Sequence, residues 1–213
     1  MKLVFLGPPG AGKGTQAVTM AREFGLEHAS TGNIFRAAVS AGTPLGKTVK
    51  SCLDGGKLVP DEMTSRVVRE MVIERFDRYI LDGYPRTVGQ AEDLDAMLSE
   101  RTEALDGVVC FELDDEEAVR RLMGRLVCKA CGANFHRRFM PPAVAGVCDK
   151  CGGRLIVRSD SAEEIVRKRL AEYAAKTSPL VPYYDKRGLL KTVDAAQEPQ
   201  KVAEDTRAVL KAL

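Results

Sequence analysis

The stretch KLVFLGPPGAGKGTQ, from Lys2 to Gln16, decides the fold of this chain. An apolar strand pattern leads directly into four glycines, two prolines and one lysine, and a helical pattern follows. Glycines let successive backbone N–H groups turn towards an anion, and the helix that follows presents its positive end there. The stretch therefore predicts a phosphate-binding loop, in which Lys13 contacts the β- and γ-phosphates of a nucleoside triphosphate.

Strand and helix patterns alternate along the rest of the chain. Apolar runs predict strands at 2–6, 26–30, 79–81, 108–113 and 189–193. Helical spacing predicts helices at 13–24, 60–75, 114–126, 161–177 and 198–212. Because each strand is nearly continuously apolar, the alternation predicts an α/β fold with a parallel sheet covered on both faces. Residues 30–59 and 127–159 interrupt the alternation, and we expect both to be insertions mounted on the sheet domain.

Composition limits the classes of function. The chain has 213 residues, 45% of them hydrophobic and 29% charged, and a formal net charge of +2. That charge alone does not indicate a nucleic-acid or membrane partner. The first apolar run is too short for a signal peptide, and none approaches the roughly 18 residues of a membrane span. We expect a cytoplasmic location.

Four of the six cysteines form two close pairs, Cys128-x-x-Cys131 and Cys148-x-x-Cys151. This spacing is typical of a closed tetrahedral thiolate site, and Zn²⁺ suits it. Iron or cobalt would also fit four sulfur ligands, and two disulfides or four free thiols are the alternatives without a metal. Cys52 and Cys110 fall on apolar patterns, which predicts that they are small buried hydrophobic residues.

Several motifs occur in an order that resembles the adenylate kinase family of nucleoside monophosphate kinases. They are GKGT (12–15), STGNIFR (30–36), DGGKLVPDE (54–62), LDGYPRTVGQ (81–90), and the segments RLMGR (121–125) and RSDSAEEIVRKR (158–169) that flank the cysteines. The resemblance covers essentially the whole chain. It implies a P-loop core with a five-stranded parallel sheet (1–29, 60–123 and 162–213), a helical AMP-binding insertion (30–59) and a metal-binding lid (124–161).

The resemblance also implies an activity and its site residues. The activity is Mg²⁺-dependent, reversible transfer of the ATP γ-phosphoryl group to AMP, which gives two ADP, by a monomer. The ATP-binding residues would be Gly10, Ala11, Gly12, Lys13, Gly14, Thr15, Arg121, Arg125, Phe135, His136 and Gln197. The AMP-binding residues would be Thr31, Gly32, Arg36, Lys57, Leu58, Val59, Gly83, Tyr84, Arg86, Gln90, Arg158 and Arg169. Asp82 and Thr15 would organise Mg²⁺ through water, and Asp160 would support the closed lid.

The chemistry of these residue types agrees with those roles. Catalysis is assigned to the cations Lys13, Arg86, Arg125, Arg158 and Arg169, because arginine presents a planar fork to phosphate. The nucleophile is already an anionic phosphate oxygen, so no protein general base is assigned. Asp82 ends an apolar strand, where a carboxylate can hold hydrated Mg²⁺. The amide of Gln90 can donate and accept at once, as the adenine edge requires.

Three positions depart from the family pattern. Asn33 and Ser161 stand where the family usually has aspartate, and Tyr84 stands where it usually has phenylalanine. We expect Asn33 to weaken a capping or solvent contact and Ser161 to remove one lid-closing contact. Tyr84 preserves the aromatic face.

Two other functions are consistent with parts of the sequence. A kinase for UMP or CMP would share the core, although such enzymes typically lack the long lid and Gln90 favours adenine. A P-loop switch or nucleic-acid-binding ATPase would use the cysteine ribbon to bind nucleic acid. The basic residues near the ribbon are Lys129, Arg137, Arg138 and Lys150. The chain lacks an N-K-x-D guanine motif and has no broad basic charge, so we expect no nucleic-acid partner.

Overall fold

The computed structural model describes the backbone of residues 1–213 and every side chain except that of Ser159. Its strands are β1 (Lys2–Leu6), β2 (Glu27–Ser30), β3 (Tyr79–Asp82), β4 (Gly107–Glu112), β5 (Arg125–Cys128), β6 (Asn134–His136), β7 (Leu155–Ile156) and β8 (Leu190–Asp194). The central sheet has the order β2-β3-β1-β4-β8, and all its neighbouring strands are parallel. The predicted five-stranded parallel α/β fold is therefore confirmed.

Helices connect the strands. They are α1 (Lys13–Phe24), α2 (Thr31–Ser40), α3 (Pro44–Asp54), α4 (Asp61–Val68), α5 (Val88–Ser99), α6 (Asp115–Met123), α7 (Glu163–Glu172), α8 (Leu180–Asp185) and α9 (Pro199–Lys211). Single π-helical segments continue α4 and α7, at Arg69–Ile73 and Tyr173–Thr177. Within the described residues, no helix combines the length and the apolar character that crossing a bilayer would require.

Both faces of the central sheet are buried, as β1 illustrates. Successive side chains of a strand point to opposite faces. Val4 and Leu6 lie in one apolar cluster, whereas Leu3 and Phe5 lie in a second cluster on the other face. All four side chains are at most 3% exposed. This double burial explains why the strands have continuous apolar runs, and it holds the loop after β1 on a rigid support.

Residues 30–59 contribute the paired helices α2 and α3, as predicted. An N-cap fixes the turn between them: the Thr43 side chain accepts from the backbone N–H of Gly46, and Pro44 occupies the first helical turn. Phe35, Val49 and Val59 pack with Val67 of α4 in a small apolar cluster of their own. Apolar packing therefore fixes this segment on the edge of the core.

Residues 125–156 form a second, antiparallel sheet with the strand order β6-β5-β7. The predicted helix 114–126 is wrong at its end: α6 stops at Met123, and β5 begins at Arg125. Gly124 lies between the two elements as the C-cap of α6. A Cβ there would lie 2.4 Å from the ring of His136 on β6, so this close approach requires glycine. Residues 127–159, which interrupt the alternation of strand and helix patterns in the sequence, thus contain the short strands β6 and β7.

Candidate active site

The loop after β1 is shaped by close backbone contacts. Gly7 has φ 137°, and a Cβ there would lie 2.4 Å from the carbonyl oxygen of Phe111 on β4. The Nζ of Lys13, at the start of α1, donates to the carbonyl oxygens of Gly7 (2.6 Å) and Pro8 (2.8 Å). Burial lowers the pKa of Lys13 to about 8, although Asp82 opposes this shift. The loop therefore surrounds a buried amine, and a bound phosphate would favour the charged form of that amine.

The structure explains why Gly14 separates Lys13 from Thr15. A Cβ at position 14 would lie 3.1 Å from Oδ2 of Asp82, at the end of β3. The same oxygen lies 3.3 Å from Nε2 of His28 on β2. Burial would raise the pKa of Asp82, but the hydrogen bond to His28 and the charge of Lys13 outweigh burial and lower it. An ionised carboxylate beside the phosphate-binding loop is a donor that suits Mg²⁺.

Positive charge is concentrated in one cleft. The cations that line it include Lys13, Arg36, Arg86, Arg125, Arg158 and Arg169. Burial and the neighbouring charge of Arg158 lower the pKa of Arg125 to about 9 and that of Arg36 to about 10. Burial also lowers the pKa of Arg169 to about 10. Such mutual repulsion is relieved when polyanions bind among the guanidinium groups.

Asp160 is the carboxylate that contacts several of these arginines. Its oxygens lie 2.5 Å from Nη2 of Arg158, 2.9 Å from Nη1 of Arg169 and 3.4 Å from Nη2 of Arg125. Burial would raise the pKa of Asp160, but the arginine charges outweigh burial and lower it. Asp160 therefore connects Arg125 and Arg158, which lie in residues 124–161, to Arg169 on α7. The adjacent Ser161 is buried, and its Oγ has no hydrogen-bond partner among the described side chains and backbone.

The half of the cleft next to residues 30–59 contains the predicted AMP-binding side chains. The hydroxyl of Thr31 and the Nε of Arg86 both donate to the carbonyl oxygen of Gly83, each at 2.9 Å. Nη2 of Arg36 donates to Oδ1 of Asn33 at 2.6 Å, so the asparagine preserves an acceptor for this arginine. The Gly83 carbonyl, in the turn after β3, thus brings Thr31 and Arg86 together, and Arg36 lines the same cleft.

Tyr84 requires a correction. It was predicted to bind AMP, but its side chain is fully buried in the sheet core and does not line the cleft. Its hydroxyl donates to the carbonyl oxygen of Gln90 (3.0 Å) and lies 3.1 Å from Oγ of Ser65. Tyr84 therefore contacts the backbone of a cleft residue rather than the cleft itself, a difference that its position in the motif could not reveal.

The opposite half of the cleft contains the residues predicted for the ATP base. The guanidinium of Arg121 donates to the carbonyl oxygens of Ala195 (2.7 Å) and Ala196 (3.1 Å), immediately before Gln197. Its charge lies 5.2 Å from the ring centroid of Phe139, a residue that the sequence did not single out. These contacts hold Arg121, which was predicted to bind ATP and its phosphates, beside Phe139 and the segment that precedes Gln197.

The predicted pair Phe135 and His136 divides between two faces of the lid sheet. His136 stacks on Phe139 with ring centroids 4.7 Å apart, and its Nε2 lies 3.0 Å from the carbonyl oxygen of Arg121. Phe135 reaches the cleft wall but is 6% exposed and packs with Cys128 and Leu155 inside the lid. Alternation along β6 explains the division, because neighbouring side chains of a strand point to opposite faces.

The four lid cysteines form a cluster in which all sulfur atoms lie within 4.8 Å of one another. The sulfur atoms of Cys128 and Cys151 lie 3.5 Å apart, those of Cys131 and Cys148 lie 3.6 Å apart, and none of the four forms a disulfide. A tetrahedron with metal–sulfur bonds of about 2.3 Å has sulfur–sulfur edges of about 3.8 Å. The donor set therefore fits a closed four-thiolate metal site. Cys110 is buried as predicted, whereas Cys52 is half-buried.

The predicted nucleotide-contacting residues other than Tyr84, together with Asp82, line one continuous cleft of about 400 Å³. This volume lies within the range of pockets that bind small organic ligands. Residues 30–59 also approach α7 of the core: a Cβ on Gly56 would lie 3.0 Å from the side chain of Arg169. The cleft is therefore bounded by the core and by both inserted segments.

Comparison with known proteins gives a consistent result. The profile of the family described as "Adenylate kinase" matches residues 5–189. The adenylate kinase of Symbiobacterium thermophilum is 49% identical over 214 positions, which cover 100% of this chain and 99% of the relative. The adenylate kinases of Carboxydothermus hydrogenoformans and Moorella thermoacetica are each 50% identical to this chain. The aligned residues cover 95% of this chain and of the first relative, and 92% of this chain and of the second. The chain belongs to the adenylate kinase family, the ATP:AMP phosphotransferases.

Proposed function

We propose that this chain transfers the γ-phosphoryl group of ATP to AMP within the cleft, with the two nucleotides bound in its two halves. ATP contacts the loop from Gly10 to Thr15, Arg121 on α6, and the lid residues around His136. AMP contacts Thr31, Gly32, Arg36, Lys57, Leu58, Val59, Gly83, Arg86 and Gln90. Arg125, Arg158 and Arg169 lie where the phosphates of the two nucleotides meet.

One observation carries this proposal: eight lysine and arginine side chains line a single cleft, and three of the arginines share the carboxylate Asp160. An excess of buried positive charge is costly unless anions compensate it. Two nucleotides bring several phosphate charges into the cleft. The charge distribution therefore suits a pair of polyanions better than one neutral metabolite.

The mechanism follows from charge and position. The AMP phosphate already carries an anionic oxygen, so the side chains need only align it with the γ-phosphorus and neutralise the transferring group. Lys13 and the arginines provide the charge, and they do so in a partly desolvated cleft where electrostatic interactions are stronger. Mg²⁺ bound with ATP would be held through water by Asp82 and Thr15, and it adds positive charge on the phosphates.

The two inserted segments have separate roles in this proposal. Residues 30–59 close over AMP and residues 124–161 close over ATP, while residues 1–29, 60–123 and 162–213 form the core. Closure excludes water, which would otherwise accept the phosphoryl group. All the proposed contacts come from one chain, which supports a monomer as the active unit.

The metal at the four cysteines is structural in this proposal, and Zn²⁺ is the metal that suits the site best. Four thiolates occupy all positions of a tetrahedral ion, whereas a catalytic zinc site retains one open position. The cysteines also do not line the cleft. Metal content per chain, measured by mass spectrometry of the purified protein, tests the identity of the ion.

A coupled assay with ATP, Mg²⁺ and each of AMP, CMP, UMP and GMP tests the function. We expect AMP to be the preferred acceptor and ADP to be the product from both nucleotides. The control is Lys13→Met, which removes the loop charge while leaving the packed core intact, and its turnover should collapse. A preference for UMP or CMP, or full turnover in Lys13→Met, would contradict the proposal.

A further inference from the structure

Asp61 contacts the residue proposed to read the base, although Asp61 itself does not line the cleft. It is the first residue of α4, directly after the 30–59 segment. Its Oδ1 accepts from Nε2 of Gln90 at 2.8 Å, and its Oδ2 accepts from the hydroxyl of Thr87 at 2.5 Å. Gln90 does line the cleft but is only 1% exposed, so these contacts are shielded from solvent.

The hydrogen bonds around Gln90 define which end of its amide is the oxygen. The backbone N–H of Arg86 can only donate, and it meets Oε1 at 2.8 Å. The carboxylate of Asp61 accepts at the other end, from Nε2. A flipped amide would bring NH₂ against N–H and oxygen against carboxylate. Both contacts would then be repulsive and two buried polar groups would lose their partners.

The fixed amide has one N–H and one oxygen lone pair left for a base. An adenine edge offers an amino donor beside a ring-nitrogen acceptor, which matches an amide oxygen beside an N–H. Hypoxanthine, the base of IMP, has the same purine frame, but a carbonyl oxygen replaces the amino group and the adjacent nitrogen carries hydrogen. A fixed amide therefore accepts adenine and opposes hypoxanthine, whereas an amide free to flip can bind either edge.

We infer that Asp61 is a specificity-determining positioning residue, which fixes the orientation of the Gln90 amide and so excludes bases of reversed hydrogen-bond polarity. The inference rests on the proposed function, because it requires AMP to bind beside Gln90. It deepens that function by naming the feature of the acceptor base that is read. The feature is the order of donor and acceptor along the edge, rather than the size of the base.

The test measures kcat/KM for AMP, IMP and CMP in the full-length enzyme, with ATP and Mg²⁺ fixed. In Asp61→Ala, Gln90 loses one of its two orienting contacts, and we expect the AMP-over-IMP preference to fall about tenfold, the value of one hydrogen bond to a charged group. Cytosine has the same edge polarity as adenine, so the AMP-over-CMP preference should change much less. Glu62→Ala is the matched control, because Glu62 is the exposed second acid in the first turn of α4.

A double-mutant cycle separates positioning from a merely structural role. In the Gln90→Leu background there is no amide to orient, so Asp61→Ala should leave the AMP-over-IMP ratio unchanged. An equal change of the ratio in both backgrounds would overturn the inference, as would an unchanged ratio in Asp61→Ala alone. If the alanine variant does not fold, Asp61→Asn replaces it. Its amide can donate as well as accept, so it should lower the same ratio by a smaller factor, and an unchanged ratio overturns the inference.

The wild-type enzyme distinguishes the two levels of the argument. If it phosphorylates AMP no better than IMP, or does not phosphorylate AMP, the proposed function fails. If it prefers AMP and Asp61→Ala preserves that preference, the function stands and the role of Asp61 is refuted.

Discussion

The two segments that flank the cleft are held together by different physical means. Residues 30–59 pack Phe35, Val49 and Val59 against Val67 of α4, in an apolar cluster that is separate from those of the central sheet. The lid has a smaller apolar cluster, and two of its four fully buried members are the cysteines Cys128 and Cys148. Apolar packing therefore fixes one segment, whereas the other contains a thiolate cluster that could hold a metal ion.

This difference teaches how a short insertion becomes rigid. A three-stranded sheet of short strands buries too little apolar surface to be stable alone. A bound metal adds binding free energy that does not depend on buried area. It also joins two knuckles that are distant in the chain. The lid can thus have an exposed, charged surface towards the nucleotide and still remain folded.

The largest expected effect is that of metal removal, since structural zinc contributes on the order of 10 kcal/mol to small metal-dependent domains. Chelation with Mg²⁺ restored, or Cys128→Ser, should lower the Tm. It should also remove hydrogen-exchange protection from residues 125–156, while α2 and α3 remain protected. Turnover at low temperature should largely survive, because no cysteine of the cluster lines the cleft.

Cys52→Ser is the control for this experiment, since Cys52 lies outside the cluster. Hydrogen exchange followed by mass spectrometry, thermal unfolding and kcat are measured on the same samples. Complete loss of turnover with an unchanged Tm would mean that the metal takes part in the reaction. Equal loss of protection in both segments would remove the contrast between them.

The next effect compares one arginine from each segment. Arg36→Ala should raise the KM for AMP, whereas Arg125→Ala should raise the KM for ATP and lower kcat. Each should lower kcat/KM by on the order of 100-fold, about 3 kcal/mol, as expected for a charge that contacts phosphate. Arg120→Ala provides the control, because Arg120 is exposed on α6 and pairs with Glu117. If the substrate effects were exchanged, the two halves of the cleft would be assigned backwards.

A core truncation tests the apolar side of the comparison. Val49 is 1% exposed and does not line the cleft. Val49→Ala should destabilise the 30–59 segment by roughly 2 kcal/mol through lost burial and a residual cavity. The loss should appear as faster hydrogen exchange in α2 and α3 and a higher KM for AMP, with exchange in the lid unchanged. Exposed Val18→Ala on α1 is the control. Faster exchange in the lid would show that the two segments are not independent.

The smallest effect concerns Asn33. Changing it to aspartate adds a charge 2.6 Å from Arg36 on an exposed helix face. The resulting ion pair should stabilise the protein by at most about 0.5 kcal/mol. It should also raise the KM for AMP up to about twofold, because the carboxylate competes with phosphate for the arginine. Titration of AMP in the wild type and Asn33→Asp measures the change. A lower KM in the variant would contradict this account.

The phosphate-binding loop and the cysteine cluster could be predicted because their signals are local. Gly10 to Thr15 are contiguous, and each cysteine pair spans four positions. Helices α5 and α8 were not among the predicted elements, and the three lid strands were also missed. Strands as short as β7, with two residues, show no measurable alternation. Local patterns therefore give the main elements but not the fold of the lid.

Contacts between distant residues could not be predicted. Nothing in the sequence places Asp61 beside the Gln90 amide, or the Tyr84 hydroxyl against the backbone carbonyl of Gln90. Both contacts result from the packing of α4, α5 and the turn after β3. The same limit applies to Arg121, whose partners Ala195 and Ala196 follow β8. The motifs identify the residues that face a ligand. They are less informative about the residues whose contacts hold those side chains in place.

Because Gly14 closely approaches Asp82, the residue that position 14 tolerates depends on the side chain at position 82. Serine at position 14, as in the commoner phosphate-loop pattern, would bring a Cβ to 3.1 Å from Oδ2 of Asp82. The Asp82 carboxylate would have to move by a few tenths of an ångström to accommodate the new Cβ. Engineering that grafts a serine-bearing loop onto this chain must therefore leave room for that movement at the end of β3.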